Sequence, residues 1–195
     1  MGKLLAFMFI SILALSGAAA GSMVEDEKQK KKKDTAYYIR LFEAPGRGEW
    51  QKPDDVIRAL GLKKGQRIAD IGAGSGYFTR RFARAVAPGG EAVGYDVDHA
   101  MVSHMKEYAA QKRIKNFRAS LISPDSPELG RASFDMIFMC NTYHHLENRV
   151  AYLKKLKPAL KTGGRVVIVD YRSESNFGPP AKFKLGESSV VGEFT

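Results

Sequence analysis

Residues 67–78 read Arg-Ile-Ala-Asp-Ile-Gly-Ala-Gly-Ser-Gly-Tyr-Phe, a short apolar run followed by glycines at three alternate positions. The apolar run predicts a buried strand, and residues 76–86 predict the helix that follows the turn. Glycine has no Cβ, so the chain can turn sharply there and a ligand can lie directly against the backbone. This strand, turn and helix together predict a binding site for a nucleotide-like ligand.

Strand and helix patterns alternate around this stretch. The predicted strands cover residues 67–71, 91–95, 116–121, 134–139 and 165–170, and the predicted helices cover residues 76–86, 100–112 and 149–160. Such alternation implies right-handed crossovers and a parallel sheet covered on both faces. The continuously apolar residues 166–169 fit a strand that is buried on both sides. We therefore expect an α/β fold with a Rossmann-like, doubly wound parallel sheet.

The composition is that of one globular domain. Of the 195 residues, 44% are hydrophobic and 10% are aromatic, which excludes a disordered chain. The formal net charge is +10, but the basic residues are spread along the chain, so a nucleic-acid partner is not expected. Cys140 is the single cysteine, and its apolar neighbours indicate a buried thiol. The histidines show no metal-ligand spacing, and no metal site is expected.

The N-terminal residues have the pattern of a secretory signal. Lys3 precedes an apolar run at residues 4–15, and three alanines follow at residues 18–20. Residues 21–36, which are rich in lysine, predict a charged linker. Cleavage after residue 20 would place the protein in the periplasm or outside the cell. The alternative is an uncleaved membrane anchor with the domain facing the cytoplasm, because basic residues beside an apolar run tend to stay on that side.

Residues 37–65 predict an N-terminal helical segment ahead of the first strand. A short helix at residues 56–60 is expected to begin after Asp54 or Asp55 and to end at Gly61. Two interpretations of its aromatic residues remain open. Tyr37, Tyr38 and Trp50 either cover a ligand as a lid that excludes water or pack a helix against the sheet.

Two carboxylates narrow the choice of ligand. Asp70 stands two residues before the first glycine, where a carboxylate suits a cationic ligand better than a pyrophosphate. Tyr77 occupies the place of the last glycine in the dinucleotide pattern G-x-G-x-x-G. Asp96 ends the next predicted strand, where it can accept protons from both ribose hydroxyls. S-adenosylmethionine fits this pattern, because it carries a sulfonium and an ammonium and has no phosphate.

These residues also carry a family resemblance. Residues 68–78 resemble the first motif of class I S-adenosylmethionine-dependent methyltransferases, and the likeness runs from about residue 47 to residue 171. More narrowly, residues 47–54 and 141–145 are similar to a bacterial subgroup whose members often carry signal peptides. Its members tend to have an acid where Gly48 stands. Residues 66–171 are accordingly expected to form the cofactor-binding domain.

The resemblance implies roles for individual residues. Four would line the methionine and adenosine portions of the cofactor: Asp70, Gly72, Gly74 and Gly76. Asp96 would hold the ribose and Val97 would pack on the adenine. Asp125 would reach the adenine amino group, with a plain turn residue as the alternative. Asn141 would face the methyl group that is transferred.

Methyl transfer depends chiefly on alignment, with the nucleophile held near ~3 Å from the methyl group. An O–H or N–H acceptor also needs a base, and the candidates are His144 and His145. Adjacent histidines are expected to point apart, so at most one would reach the site, and packing is the alternative role. We expect a methyltransferase acting on a small molecule or an envelope component. The alternative is a non-catalytic cofactor-binding module or an inactive truncated fragment.

The C-terminal region departs from the family pattern. A complete fold of this family has two further strands after the fifth, whereas residues 172–195 predict an irregular tail. No helix is expected there, and residues 189–191 could form at most a very short strand. With that strand pair missing, the fifth strand would present an unpaired apolar edge, for which truncation is the expected explanation. The sequence carries no signal of an oligomeric state.

Overall fold

The structure, a computed structural model, describes residues 35–194. The predicted signal or anchor at residues 1–20 and nearly all of the predicted linker lie outside the described residues. Between residues 35 and 194, no helix combines the length and the apolar character that a bilayer crossing requires.

Helices and strands alternate along the chain. The helices are α1 (Thr35–Phe42), α2 (Arg47–Gln51), α3 (Pro53–Leu60), α4 (Thr79–Ala85), α5 (His99–Gln111), α6 (Arg149–Leu156) and α7 (Glu187–Gly192). The strands are β1 (Arg67–Ile71), β2 (Glu91–Asp96), β3 (Phe117–Leu121), β4 (Phe134–Cys140) and β5 (Leu160–Val169). All four strand pairs are parallel, in the order β3-β2-β1-β4-β5. The predicted doubly wound α/β fold is confirmed.

Successive residues of each strand point to opposite faces of the sheet, and each face carries its own apolar core. Ile68 and Phe138 face one core, which is completed by Val56, Phe82 and Met105 from α3, α4 and α5. The other core is built on Ala69, Ile71, Ile137 and Met139 and is covered by Leu153, Leu156 and Val190 from α6 and α7. The strand order reverses between β1 and β4, so the carboxyl ends of these two strands border the crevice where ligands bind in such sheets.

Several predicted boundaries were wrong. The helix after the glycine turn begins at Thr79 rather than at Gly76, because Gly72, Gly74 and Gly76 have φ angles of 68°, 56° and 79° and cannot be part of a right-handed helix. The helix predicted for residues 149–160 ends at Leu156 and gives way to a 3₁₀ turn at Lys157–Ala159, which contains a proline. Strand β5 then begins five residues earlier than predicted.

The C-terminal tail is more ordered than the sequence predicted. Residues 187–192 form helix α7, so the expectation of no helix and of a short strand at residues 189–191 was wrong. Val190 is only 3% exposed, and it packs in the core that contains Ile168 of β5. Burial of this valine, which the tail's proline and glycine content concealed, contributes to the stability of the helix. Within the described chain β5 is the outermost strand on its side of the sheet.

Candidate functional site

The glycine turn lies at the carboxyl end of β1 and is fixed to the neighbouring strand. The backbone N–H groups of Gly72 and Ala73 both donate to the Tyr95 carbonyl, at 2.8 and 3.0 Å. A Cβ on Gly72 would lie 2.3 Å from Thr142 Oγ1, and a Cβ on Gly74 would lie 3.0 Å from Phe42 Cδ2. Because these two glycines have no Cβ, α1 and the end of β4 can pack directly against the turn.

Asp96 ends β2 beside this turn and is 9% exposed. Its Oδ2 accepts a hydrogen bond from Gly74 N–H at 2.7 Å, and its Oδ1 accepts one from Asp98 N–H at 3.0 Å. Burial raises the pKa of the Asp96 carboxyl, against the lowering effect of these hydrogen bonds. Each oxygen keeps a second lone pair for a ligand hydroxyl. The next residue, Val97, is 55% exposed and offers an apolar surface there.

Asp70 is buried at the end of β1, with 2% exposure. Thr79 Oγ1 donates to its Oδ2 at 2.6 Å. Burial raises the pKa of Asp70 to about 7, although the Thr79 hydrogen bond and the positive charge of Arg47 act to lower it. A cationic ligand beside this carboxyl would favour its charged form.

Residues 35–51, here called the arm, comprise α1 and α2 and lie over the glycine turn. Glu43 of the arm accepts a hydrogen bond from Ser75 Oγ at 2.5 Å and pairs with both terminal nitrogens of Arg80 at 2.8 and 2.6 Å. Thr35 Oγ1 donates to Asp98 Oδ2 at 2.8 Å. The guanidinium carbon of Arg47 lies 4.0 Å from the centroid of the Tyr77 ring.

The arm is held mainly by these polar contacts. No residue of α1 is buried, and Tyr38 and Trp50 are 40% and 38% exposed. This exposure argues against the interpretation in which the aromatic residues pack a helix against the sheet, and the lid stays a prediction.

The end of β4 carries Asn141 in a left-handed conformation, with φ of 52°. Its N–H donates to the Val169 carbonyl at 2.8 Å, while its side-chain Oδ1 is buried without a hydrogen-bond partner. Thr142 follows and contacts Gly72, so this loop borders the glycine turn. Burial raises the pKa of the neighbouring Cys140 thiol far above its ordinary value, which keeps the thiol protonated.

The two candidate histidines lie together. Nδ1 of His144 is 2.8 and 2.9 Å from the two carboxylate oxygens of Asp170, which follows β5. The rings of His144 and His145 have centroids 4.1 Å apart, so the prediction that they point away from each other was wrong. The tight 3₁₀ turn at Tyr143–His145 brings them side by side. Burial, and then the neighbouring His144, lower the pKa of His145.

Asp125 lies in the loop that follows β3, and the start of this loop is joined to the end of β2 by the hydrogen bond from Ile122 N–H to the Asp96 carbonyl at 3.0 Å. Its side chain is exposed, and its backbone carbonyl accepts a hydrogen bond from Lys155 of α6 at 2.6 Å. The role of Asp125 at the adenine amino group stays a prediction. Among residues 35–194, no group of three or more metal-ligating side chains comes together.

Sequence reasoning missed three polar residues of the site. Asp170 was predicted only as the end of a strand, and Arg47 and Gln51 were noted only within the segment 47–54 that carries the family likeness. Gln51 is fully buried, and neither polar atom of its amide has a hydrogen-bond partner. The Nε atom of Arg47 is also buried without a hydrogen-bond partner. A glutamine at a helix position that faces the sheet was the available signal.

Residues 69–166, half of the chain, match the family model described as a methyltransferase domain. The matched range holds the glycine turn, β2, β4 and both histidines, whereas the arm precedes it.

Several proteins with sequences similar to this chain are described as methyltransferases. The ubiquinone/menaquinone biosynthesis C-methyltransferase UbiE of Pseudomonas paraeruginosa is 25% identical over 123 residues, which is 62% of this chain and 48% of that protein. The demethylmenaquinone methyltransferase of Tropheryma whipplei is 30% identical over 125 residues, which is 64% of this chain and 50% of that protein. This chain therefore spans about half the length of the curated relatives it matches.

A solved structure extends the likeness to nearly the whole described region. The crystal structure of a SAM dependent methyltransferase from Aquifex aeolicus superimposes with a TM-score of 0.76 at 27% identity. The match covers 84% of this chain and 87% of that one.

Proposed function

Because the chain belongs to the methyltransferase domain family, matched over residues 69–166, we propose that it transfers a methyl group from S-adenosylmethionine to an acceptor beside Asn141 and His144. One observation carries the proposal: the buried Asp96 carboxylate, bonded to Gly74 N–H, stands over a glycine turn at the point where the strand order reverses. The Asp96 carboxylate and the glycine turn fit the adenosine portion of the cofactor, and the buried Asp70 carboxyl fits the cofactor's positive charge.

The chain's residues have separate tasks in this proposal. Asp96 accepts hydrogen bonds from the ribose hydroxyls, and Val97 supports the adenine. Asp125 remains the candidate for the adenine amino group. The cofactor supplies an electrophilic methyl group on a sulfonium, and the protein's contribution is alignment of the acceptor with that group.

His144 is the stronger of the two candidate bases. Asp170 accepts a hydrogen bond from Nδ1–H of His144, which leaves Nε2 as the nitrogen that can take a proton. Asp170 thereby positions the ring. This arrangement suits an acceptor with an O–H or N–H group, on a small molecule or an envelope component.

Calorimetric titration tests the cofactor assignment. We expect S-adenosylmethionine to bind and NAD not to bind, and Asp96→Ala to weaken binding by roughly 100-fold or more, because two hydrogen bonds to a charged acceptor are lost. Asp96→Asn is the matched control for folding, since its side-chain oxygen can still accept from Gly74 N–H. Tight NAD binding, or an unchanged affinity in Asp96→Ala, would refute the assignment.

A second experiment separates an enzyme from a binding module. Lysate fractions and demethylated quinone precursors are incubated with donor carrying a labelled methyl group, and labelled products are counted. We expect a product, and we expect His144→Ala to lower the turnover number by roughly 10²–10⁴-fold while cofactor affinity stays unchanged. No labelled product in any fraction would favour the non-catalytic module.

A further inference from the structure

The polar atoms of α2 that lack partners have an energetic cost in the free protein. Both amide atoms of Gln51 and the Nε of Arg47 are buried without a hydrogen bond. Each buried, unpaired polar group costs on the order of 1–3 kcal/mol, and proteins pair nearly all such groups. A fully buried glutamine with neither atom satisfied therefore points to a missing partner.

These two side chains project toward the carboxyl ends of β1 and β4. Arg47 stacks on Tyr77 at the glycine turn, and its charge acts on the carboxyl of Asp70 and on the thiol of Cys140. The Gln51 amide also lies close enough to the Cys140 thiol to influence it, although it forms no hydrogen bond of adequate geometry. Arg47 and Gln51 thus stand against the same two strand ends that flank the crevice.

The pattern of donors and acceptors defines the ligand group. Arg47 Nε and Gln51 Nε2 are donors, whereas Gln51 Oε1 and the Asp70 carboxyl are acceptors. A carboxylate next to an ammonium satisfies both sets at once, and a guanidinium is well suited to a carboxylate. On the basis of the proposed function, we infer that Arg47 and Gln51 bind the α-amino-acid end of S-adenosylmethionine.

The subsite is reached by movement of the arm. Phe42 lies against Gly74, and α1 buries none of its residues. The Glu43 contacts to Ser75 and Arg80 hold the arm down. We expect Arg47 and Gln51 to become accessible when the arm separates from the glycine turn, and to contact the ligand when it returns. The cofactor site therefore includes residues that precede the matched domain.

Two nucleosides that differ only at this end provide the test. S-adenosylhomocysteine carries the amino-acid group, whereas 5′-methylthioadenosine lacks it. Calorimetry of the full chain measures both affinities in Arg47→Met and Gln51→Met, with the exposed Arg58→Met as the matched control. We expect each of the two site variants to weaken S-adenosylhomocysteine binding by roughly 10–100-fold, to leave 5′-methylthioadenosine within about threefold, and Arg58→Met to change neither.

A stability measurement distinguishes binding from a purely structural role. Gln51→Met removes the unpaired amide, so we expect the free variant to be at least as stable as the wild type in urea. If the variants lost affinity equally for both nucleosides, or for neither, the proposed subsite would be overturned while the proposed function would remain intact. Failure of the wild-type protein to bind either nucleoside would overturn the proposed function, and the subsite with it.

Discussion

At the scale of single residues, the ionisation of Asp70 makes the free energy of unfolding depend on pH. Its pKa is about 7 in the folded protein because it is buried, whereas the ordinary value of 3.8 applies in the unfolded chain. The folded state therefore binds more protons than the unfolded state between these values, and the free energy of unfolding falls as pH rises from about 4 to about 7. Above pH 7 the full cost of the buried charge is present.

Replacing Asp70 by Asn should remove this pH dependence. Asn keeps an oxygen that accepts from Thr79 but cannot ionise, so we expect Asp70→Asn to gain stability relative to the wild type as pH rises from 5 to 7, and to gain only slightly more by pH 8. Urea unfolding at each pH measures the difference.

Asp135 provides the matched control for this experiment. Burial acts to raise the pKa of Asp135. The hydrogen bonds from Lys161, at 2.7 Å, and from Arg67 N–H together lower it by more, so the pKa lies below its ordinary value. It is ionised in both states across this range, and Asp135→Asn should change stability by a constant amount. A difference between Asp70→Asn and the wild type that does not vary with pH would show that Asp70 is already ionised at pH 5.

Spacing along the chain was enough to predict some site residues and not others. Asp96 follows from its place at a strand end, one strand after a glycine turn. Arg47, Gln51 and Asp170 come from distant segments, and only the folded chain shows that their side chains meet β1, β4 and His144. Nothing in the sequence specified that the two histidine rings would lie side by side.

At the scale of elements, the carboxylate of Glu193 joins α7 to the body of the protein, in addition to the buried Val190. Glu193, at the end of α7, pairs with Arg149 at 2.6 Å and accepts from the Tyr143 hydroxyl at 2.5 Å. The Arg149 hydrogen bond, against partial burial, lowers the pKa of Glu193. The same contacts fix Tyr143, which is fully buried and adjoins His144.

We expect Glu193→Gln to lower the free energy of unfolding by about 1–3 kcal/mol, because charged hydrogen bonds to two partly buried groups are weakened. Urea denaturation measures this change. Glu174→Gln, which alters the exposed pair with Arg172 at 2.7 Å, is the matched control and should leave the midpoint unchanged. If both variants behaved alike, α7 would contribute nothing to stability through Glu193.

Helix boundaries were predicted less well than helix positions. The start of α4 depends on backbone angles at the three glycines, and the end of α6 depends on a proline within its last predicted turn. Helix α7 was missed because it buries one valine, and so short an apolar pattern has no visible period.

At the scale of the whole molecule, the alternation of strands and helices was sufficient to predict the sheet. Five apolar runs separated by helical stretches allow few arrangements once crossovers are right-handed, and the observed order is one of them. The position of the arm could not be predicted from the sequence, because its aromatic residues suited two interpretations equally. Its placement depends on Glu43, Ser75 and Arg80, which are far apart in sequence.

The arm's reliance on one carboxylate and a few hydrogen bonds has a consequence for timing. If a ligand is bound by Arg47 and Gln51 as proposed, we expect its release to require that Glu43 separates from Ser75 and Arg80. We then expect substitution of Glu43 to shorten the residence time of the ligand. In a methyltransferase built this way, release of the spent cofactor, rather than methyl transfer, is the natural place for the slowest step of a turnover.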